Sequence, residues 1–461
     1  MARLDLARIL AAYAGSRLFL RRVRTRDRLE RWQRRRLRRA LRHARKSFPF
    51  YRDVPAGGLE AFPVLDKAAW LAAFRELNAP GLELEECRRI AAEAERSRDF
   101  SRLEGDLAVG LSTGTSGRQG VFLASPQERA KWAGVMLAKA LPGRRLGENA
   151  RIALFLRAGS PLYSTLATGR IRFRYFDLRR PLAELMPEVE SFDPTVLAAP
   201  PQILRLLSAA LAARRLRLAP RRVYSIAEVL DPHDEASIGA AFSLPVHQIY
   251  QASEGFLGIT CEAGRIHLNE DLLVVEKEYL DRATGRFVPV ITDLHRRTQA
   301  ILRFRLGDVL VESREPCPCG SPFLAVDRIE GRFDDVLALP SANGPSDGRL
   351  SPLFADYVTR AVLGASPAIA DFRCVQEEPG FLVLALAIAA DADAGAVFAE
   401  ASGALVRLCV EQRLAPPVVR PEAMPGDCGN GPAGDPAIKL RRVRRTFPVA
   451  PSDLLPVDLL P

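Results

Sequence analysis

Apolar and polar positions follow a helical pattern over residues 3–46. This segment contains no proline and is rich in Leu, Ala and Arg, which favour helix. Because Pro49 cannot lie inside a helix, the pattern predicts one long helical region that ends before it. A further helix is predicted from Lys67. The partial apolar face of the first region comprises Leu18, Phe19, Val23, Leu29, Trp32, Leu37 and Leu41.

From residue 107 short apolar runs alternate with helical stretches. Strands are predicted at 108–111, 151–156, 195–198, 222–226 and 246–250, and helices at 126–140, 181–190, 200–214 and 232–241. This alternation is typical of an α/β fold with a largely parallel sheet. Residues 265–311 contain only strand-like runs (272–278, 287–293, 300–304 and 309–312), which predicts an antiparallel β unit.

After Asp335 the pattern predicts a small α+β module. Two strands, Phe372–Gln376 and Phe381–Ile388, flank a Pro-Gly turn and indicate a hairpin. A helix follows from Asp393, a suitable N-cap, to Leu414, and a strand is predicted at 418–420. We therefore expect a helical region at 1–100 that belongs to the large domain, a core with its β unit at 101–333, and a C-terminal domain at 334–461.

Length and composition limit the classes of protein to which this chain can belong. A chain of 461 residues that is 48% apolar can bury a large core, which excludes a disordered protein. The seven cysteines are odd in number and unevenly spaced, unlike a secreted disulfide framework. The chain has no apolar run long enough to span a bilayer and no convincing signal peptide. We expect a cytoplasmic protein.

The net charge of +11 belongs to one segment. Between Arg17 and Lys46 there are fourteen arginines and one lysine against Asp27 and Glu30, so the rest of the chain is slightly acidic. A nucleic-acid partner for the whole protein is therefore not expected. The sequence leaves two interpretations of residues 1–46: a helix packed on the core, or a peripheral contact with a membrane or an acidic partner.

One loop has the composition of a phosphate-binding site. Ser112, Thr113, Gly114, Thr115, Ser116 and Gly117 begin a run that ends at Gly120, between an apolar strand and a predicted helix. Glycine lets the backbone approach a ligand closely, and successive N–H groups can hold an anion. The spacing differs from that of a P-loop, and an ordinary Gly/Ser turn is the alternative.

Four further positions carry candidate chemistry. Tyr250 to Gly255 follows a strand end, where ligands of open α/β sheets bind, and its Glu254 could hold Mg²⁺. Asp308 could accept hydrogen bonds from ribose hydroxyls. Arg332 to Asp335 lies at the predicted domain boundary, and Lys439 is the only lysine after position 277. Each of these is a weak signal when taken alone, and an ordinary strand cap is favoured for the Tyr250 segment and a solvated surface charge for Lys439.

Three cysteines and a histidine form a candidate metal site. Cys261 and His267 lie about fifty residues before Cys317 and Cys319, and a Cys₃His set suits structural Zn²⁺. The alternative is two unrelated loops that carry reduced thiols. Cys87, Cys374, Cys409 and Cys428 have no partner by spacing and are interpreted as ordinary thiols.

The order and spacing of these features resemble the adenylate-forming superfamily of acyl-CoA synthetases and adenylation domains. They are most similar to the phenylacetate–CoA ligase and coenzyme F390 synthetase branch, over nearly the whole chain. Phe48-Pro49-Phe50-Tyr51-Arg52 resembles that branch's "PFYR", and Ser112–Gly120 its "SSGTTGxP" loop. The branch also has a Cys near a "GLH" strand and a downstream "CxCG", which supports structural Zn²⁺.

The resemblance implies a large α/β domain that binds ATP and Mg²⁺, with a small mobile C-terminal domain. The loop from Ser112 to Gly117 would hold the phosphates. Ala227 and Glu228 would lie beside the adenine, with Tyr250 stacked on it, Ser253 in the nucleotide site and Glu254 on Mg²⁺. Asp308 would bind the ribose, Arg332 the ribose–phosphate region, and Asp334 would be the hinge. Lys439 would stabilise the first half-reaction.

The implied reaction is activation of a carboxylic acid, aromatic by resemblance, as acyl-AMP with release of pyrophosphate. The acyl group would then pass to a thiol of CoA or of a carrier protein. The sequence departs from the family at Ile226, at Leu306 and after the loop, where Arg118 and Gln119 replace a Pro-Lys pair. The alternative function is a binding protein that docks through residues 1–46 and carries a non-catalytic adenylate-forming fold.

Overall fold

The computed structural model describes residues 3–99, 103–104, 106–111, 119–141, 149–157, 159, 171–342, 350–424 and 442–454. The helices are α1 (Arg3–Arg22), α2 (Arg26–Ser47), α3 (Lys67–Ala72), α4 (Leu84–Ser97), α5 (Pro126–Ala140), α6 (Leu182–Phe192), α7 (Pro201–Ala212), α8 (Pro232–Phe242), α9 (Ala355–Leu363) and α10 (Ala394–Glu411). The strands are β1 (Leu103–Glu104), β2 (Leu107–Leu111), β3 (Val121–Ala124), β4 (Ala150–Leu156), β5 (Ile171–Asp177), β6 (Val196–Ala199), β7 (Arg222–Ile226), β8 (Val246–Ala252), β9 (Gly255–Thr260), β10 (Ile266–Leu268), β11 (Leu273–Asp281), β12 (Arg286–Asp293), β13 (Phe304–Arg305), β14 (Asp308–Glu312), β15 (Ala325–Arg332), β16 (Leu337–Pro340), β17 (Leu350–Leu353), β18 (Ile369–Glu378), β19 (Phe381–Ile388), β20 (Val418–Glu422) and β21 (Val443–Arg445).

The chain folds into two compact units. The first comprises Met1–Val275, Ile291–Arg305 and Glu315–Val326, and the second Glu276–Val290, Leu306–Arg314 and Asp327–Pro461. Because the chain passes between the units within β11 and β12, each unit is built from several segments. The predicted boundary between residues 333 and 334, and rotation about it, stay predictions.

The first unit contains the predicted parallel sheet. Its strands lie in the order β5-β4-β6-β7-β8, and each neighbouring pair is parallel. Strands β9 and β10 extend it with antiparallel pairs. One buried cluster combines sheet residues such as Phe155 with α6, α7 and α8, and another combines the opposite sheet face with α5. The α/β prediction is confirmed.

The N-terminal region differs from the single predicted helix. It breaks after Arg22 and restarts at Arg26, because Thr25 is extended, with φ of −132°. Helix α1 packs closely on α5 at Gly134, where a Cβ would lie 2.5 Å from the carbonyl oxygen of Ile9. The helical prediction is correct in type, but the chain turns between two helices that pack on different parts of the unit.

The predicted strand at 300–304 is wrong over most of its length, since only Phe304 and Arg305 are in a strand. Arg303 has φ of +44°, which interrupts extended backbone. The neighbouring polar groups bond to irregular segments instead: Ala300 N–H donates to Leu77 O at 2.8 Å, and Leu65 N–H donates to Arg303 O at 3.0 Å. The strand prediction depended on apolar content alone, and this buried segment is instead an irregular connection.

The second unit contains the predicted small α+β module. Its four strands lie in the order β20-β19-β18-β21, and the β18–β19 hairpin is antiparallel. Asp393 caps α10 by accepting hydrogen bonds from the N–H groups of Gly395 and Ala396. Strands β12 and β14 are antiparallel, as expected for the β unit. The β16–β17 pair and α9 were not predicted from the sequence.

Candidate nucleotide and metal sites

The phosphate-loop candidates and Lys439 lie outside the described residues. The strands on either side of the loop are described, and they pair directly, with Leu111 opposite Val121. The loop therefore connects two antiparallel strands, whereas the sequence indicated a strand followed by a helix. Helix α5 begins only at Pro126, after Ser125 and Glu128 have formed its capping box.

The end of the loop lies next to the predicted acidic site. Lacking a Cβ, Gly120 comes so close to Ser253 that a side chain there would lie 3.3 Å from the Ser253 hydroxyl. The same position would lie 3.3 Å from Lys67 Nζ. A small cavity of about 10 Å³ lies here, lined by Lys67, Trp70, Gly120, Val121, Ser253, Glu254, Gln299, Ile301 and Phe304.

Two cavity residues, Lys67 and Trp70, were not assigned a site role from the sequence. Lys67 begins α3 directly after its cap, Asp66, whose carboxylate accepts a hydrogen bond from Ala69 N–H. Trp70 is buried and donates from its indole nitrogen to Ala300 O at 2.8 Å. Their only signal is the Pro-Val-Leu-Asp-Lys run at 63–67, which marks a helix start and says nothing of what the helix faces.

Glu254 is oriented by hydrogen bonds to its neighbours. The Ser253 hydroxyl donates to Glu254 Oε2 at 2.9 Å. The Ser253 carbonyl accepts a hydrogen bond from Arg296 Nη2 at 2.8 Å, and Arg296 also donates to Gln299 Oε1 at 2.9 Å. A carboxylate at the edge of a cavity is the oxygen ligand that Mg²⁺ prefers, so Glu254 fits its predicted role.

Two predicted adenine contacts lie next to neighbouring parallel strands or within them: Ala227 directly follows β7, and Tyr250 lies inside β8, which continues to Ala252. Ile226 at the end of β7 pairs with Ile249 of β8, so Ala227 and Tyr250 come next along these two adjacent segments. Ala227 has φ of +65°, a conformation that costs an alanine about 1 kcal/mol, and Glu228 N–H donates back to Ile226 O at 2.8 Å. Tyr250 is buried, at 8% exposure. The stacking and adenine roles stay predictions.

The second unit brings together two other predicted residues. Arg332 Nη1 donates to Asp308 Oδ1 at 3.0 Å. The guanidinium lies against Gly307, where a Cβ would be 2.5 Å from Nη2. The Phe333 N–H donates to Gly307 O at 2.8 Å and ties the two segments together. Sequence placed Asp308 and Arg332 in one site, and the structure shows that Gly307 makes their contact sterically possible.

The segment that carries the predicted hinge, Asp334, is held by a buried arginine. Arg445 donates from Nη1 to Val336 O at 2.6 Å and lies over the Phe333 ring. Burial lowers the pKa of the Arg445 guanidinium, while Asp334 and Asp335 act against that shift. This anchor fixes the residues that follow Asp334.

The four predicted metal ligands come together in the first unit. The donor atoms of Cys261, His267, Cys317 and Cys319 all lie within 4.8 Å of one another. Cys261 Sγ is 3.6 Å from Cys317 Sγ, and Cys319 Sγ is 3.4 Å from His267 Nε2. Two thiolates bound to one tetrahedral Zn²⁺ at about 2.3 Å would be about 3.8 Å apart, so the spacing fits.

The tautomer of His267 also suits a metal. His267 Nδ1 lies 3.1 Å from Phe323 O, and since a carbonyl only accepts, Nδ1 carries the proton and Nε2 faces the thiols with its lone pair. Burial lowers the pKa of His267 and keeps the ring neutral. Although burial opposes it, hydrogen bonding from Cys319 lowers the pKa of Cys317, while burial raises that of Cys319 to about 12.

A buried polar cluster formed by Lys131, His295 and Asp271 was not predicted from the sequence. Lys131 Nζ donates to His295 Nδ1, and His295 Nε2–H donates to Asp271 O at 3.1 Å. Burial and the Lys131 charge lower the pKa of His295 to about 3. Burial lowers the pKa of Lys131 to about 8, although Asp293 opposes the shift. No spacing pattern in the sequence links these residues.

The fold is similar to that of solved 2-hydroxyisobutyryl-CoA ligase structures. The ligase in the postadenylation state, in complex with R3-HIB-AMP, aligns with a TM-score of 0.58 at 18% identity, over 89% of this chain and 88% of that chain. An open conformation in complex with 2-HIB-AMP and CoA aligns with a TM-score of 0.56 at 19% identity, over 90% of each chain. Identity this low shows that this chain shares the fold of these structures, and it shows nothing of activity.

No protein-family model matches the chain, and no curated protein matches it in sequence. The phenylacetate–CoA ligase branch therefore stays a prediction that depends on the quoted motifs.

Proposed function

We propose that this protein activates a carboxylic acid with MgATP and passes the acyl group to a thiol. A carboxylate oxygen attacks the α-phosphorus of ATP, the bond to the β-phosphate oxygen breaks, and pyrophosphate leaves with its electron pair. The thiol then attacks the acyl carbon and AMP leaves. Because the substrate supplies the nucleophile, the protein contributes position and charge neutralisation.

The observation that carries this proposal is the place of Ser253 and Glu254 within the shared fold. They line one cavity with Gly120, at the end of the predicted phosphate loop. Mg²⁺, when bound, would neutralise phosphate charge, and Glu254 would hold it. Asp308, kept in place by Arg332, would accept hydrogen bonds from the ribose hydroxyls. Lys439 would stabilise the charge that develops on the α-phosphate.

For the acid we propose an aromatic carboxylate, with a fatty or polyketide acid as the competing class. The resemblance to the phenylacetate–CoA ligase branch favours an aromatic acid. For the acceptor we propose CoA, with a carrier-protein thiol as the alternative. The structural relative in complex with CoA supports this choice.

An ATP–pyrophosphate exchange assay over a panel of aromatic, fatty and short hydroxy acids tests the first step. We expect acid-dependent exchange and its loss by at least about a hundredfold in Lys439→Ala, since a positioned charge contributes about 3 kcal/mol to such a step. Lys46→Ala, which removes an exposed lysine of α2, is the matched control and should keep full exchange. Unchanged exchange in Lys439→Ala would disprove the role of Lys439, and no exchange with any acid would disprove adenylation.

We also propose that Cys261, His267, Cys317 and Cys319 bind one structural Zn²⁺. The support is their mutual spacing and the tautomer of His267. Four protein donors would complete tetrahedral coordination, so the metal would join the β9–β10 turn to the 317–319 loop without reaching substrate. We expect one zinc per chain by elemental analysis, lost in Cys317→Ser and retained in Cys87→Ser. Zinc-free protein with unchanged thermal stability would exclude a structural metal.

A further inference from the structure

The exposed face of α1 is apolar. Ile9 is buried against α5, and Arg17 donates to Ala138 O at 3.4 Å, so this side of the helix is fixed to the unit. On the other side, Leu10 and Leu18 are 45% and 46% exposed. Between residues 7 and 18 the exposed positions lie on one side of the helix and carry no charge: Ala7, Leu10, Ala11, Ala14, Gly15 and Leu18. These residues define the "α1 apolar stripe", which is exposed to solvent in the described part of the chain.

The exposed face of α2 is basic over its whole length. Its inner face is held by Gln33, whose amide donates to the carbonyls of Glu270 and Leu273, both at 2.9 Å. The helix has 22 residues and therefore extends about 33 Å. Its exposed cations other than the ion-paired Arg26, together with Arg24 just before the N-cap Thr25, form the "α2 basic stripe": Arg24, Arg28, Arg31, Arg34, Arg35, Arg38, Arg39, Arg42 and Lys46.

The charge of the α2 basic stripe is not neutralised within the described part of the chain. Arg26, outside the stripe, forms ion pairs with Glu30 and Glu270. For the stripe residues themselves, no carboxylate among the described residues lies within ion-pair distance, and Arg28 and Arg42 donate only to backbone carbonyls. So many like charges along one helix favour a polyanionic partner.

We propose that α1 and α2 dock on a membrane surface rich in anionic phospholipid. The α2 basic stripe would contact lipid phosphates, and the leucines of the α1 apolar stripe would enter the boundary between headgroups and acyl chains. Apolar side chains at this position favour a membrane over a nucleic acid, whose backbone offers them no matching surface. Arg21 and Arg22 are exposed where α1 ends, so the basic region begins directly after the apolar stripe.

Peripheral docking agrees with the helices themselves. None of the helices in the described ranges is both long enough and apolar enough to span a bilayer. The proposal is independent of the proposed ligase activity, because α1 and α2 contribute no residue to the cavity beside Glu254.

Co-sedimentation of the full chain with vesicles tests the proposal. We expect binding to phosphatidylcholine vesicles with 30% phosphatidylglycerol, and little binding to phosphatidylcholine alone. Arg31→Gln, Arg35→Gln and Arg38→Gln combined should weaken binding about a hundredfold, since each charge contributes about a fivefold factor. Leu10→Gln with Leu18→Gln should weaken it by about tenfold or more through lost apolar contact. All five positions are exposed, so these variants should fold normally.

The matched control variants replace arginine and leucine at exposed positions outside the two stripes. Arg52→Gln, Arg179→Gln and Arg215→Gln replace three exposed arginines outside the stripe, and Leu206→Gln replaces an equally exposed leucine on α7. These controls should bind as the parent does. Exchange activity, measured without vesicles, should be equal in all variants, which separates failure of this proposal from failure of the ligase proposal.

Three results would overturn the proposal. One is equal binding by the controls and the stripe variants. Another is binding that duplex DNA displaces completely and that the leucine variant does not affect, which would indicate a nucleic-acid partner. The third is a concentration-dependent dimer in place of vesicle binding, lost in the leucine variant, which would assign the α1 apolar stripe to a second copy of the chain.

Discussion

At the scale of single residues, Gly307 controls whether Arg332 can reach Asp308. In Gly307→Ala the new methyl group would meet the Arg332 guanidinium at 2.5 Å. Because the obstacle is the end of a flexible side chain, the arginine can move aside at little cost in folding. We expect the KM for ATP to rise about tenfold, since a charge-assisted hydrogen bond is worth about 1.5–3 kcal/mol, with the midpoint of urea unfolding nearly unchanged.

Gly403→Ala is the matched control for this change. A Cβ there would also meet only an arginine tip, Arg407 Nη1 at 3.3 Å, but on helix α10. Its KM for ATP should equal that of the parent. If Gly307→Ala keeps the parent KM as well, the Arg332–Asp308 pair has no part in nucleotide binding.

Lys131 should make stability depend on pH. Its pKa is lowered by burial to about 8, against 10.5 for an unperturbed lysine. Between these values the unfolded chain binds the proton that the folded chain has lost, so the free energy of unfolding should increase as pH rises from 8 toward 10.5. The slope from this one group approaches about 1.4 kcal/mol per pH unit. Urea unfolding at several pH values should show this increase relative to Lys131→Met.

Lys277→Met provides the control for that measurement. Although burial acts the other way, hydrogen bonding to Glu312 raises the pKa of Lys277, so it stays protonated in both states over this range. Its removal should leave the slope unchanged between pH 8 and 10. Identical slopes for the parent and Lys131→Met would show that Lys131 is not titrating in the folded protein.

At the scale of elements, the α1–α5 contact depends on a glycine. In Gly134→Ala the Cβ would lie 2.5 Å from Ile9 O and 2.6 Å from Ala12 Cβ, so backbone and not only side chains would have to move. We expect a loss of about 1–3 kcal/mol in the free energy of unfolding, typical of overpacking, and faster tryptic cleavage within α1.

The same substitution at Gly15 should act in the opposite direction. Gly15 is exposed on α1, and a Cβ there would meet nothing within 4 Å. Alanine favours helix over glycine by about 1 kcal/mol, so Gly15→Ala should stabilise the protein slightly. Equal effects of the two variants would mean that α1 does not pack on α5 through Gly134.

At the scale of the whole molecule, the family resemblance predicts a rotation about Asp334 between the two reaction steps. Proline fixes φ near −65°, so Asp334→Pro should block the dihedral change that a hinge needs. We expect ATP–pyrophosphate exchange within about twofold of the parent, and thioester formation to fall by at least about tenfold, since only the second step would require the rotation. Asp334→Ala removes the carboxylate and leaves φ free, so it should support both steps. Equal loss of thioester formation in both variants would assign the effect to charge near Arg445 rather than to rotation.

Local patterns in the sequence were enough to predict most helices and strands and the α/β class of the fold. Periodicity located α5 over 126–140 and β19 over 381–388 with the bounds that the structure has, because amphipathic spacing and capping are local properties. It also placed Cys261, His267, Cys317 and Cys319 in one candidate set, since cysteine and histidine are chemically distinctive wherever they occur. The same local reasoning failed at 300–304, where a positive φ at Arg303 follows from packing and not from residue type.

Which surfaces are exposed and which residues share a site depends on tertiary contacts, which the sequence patterns did not predict. It showed that Lys67 and Trp70 line the cavity of Glu254, and that Gly307 admits Arg332 to Asp308. It also showed that α1 has two apolar faces, one packed on α5 and one exposed, while α2 presents its arginines outward. Residue composition gives the charge and hydrophobicity of a helix, but its neighbours determine which face meets the solvent. These contacts join residues far apart in the chain, and no local pattern specifies them.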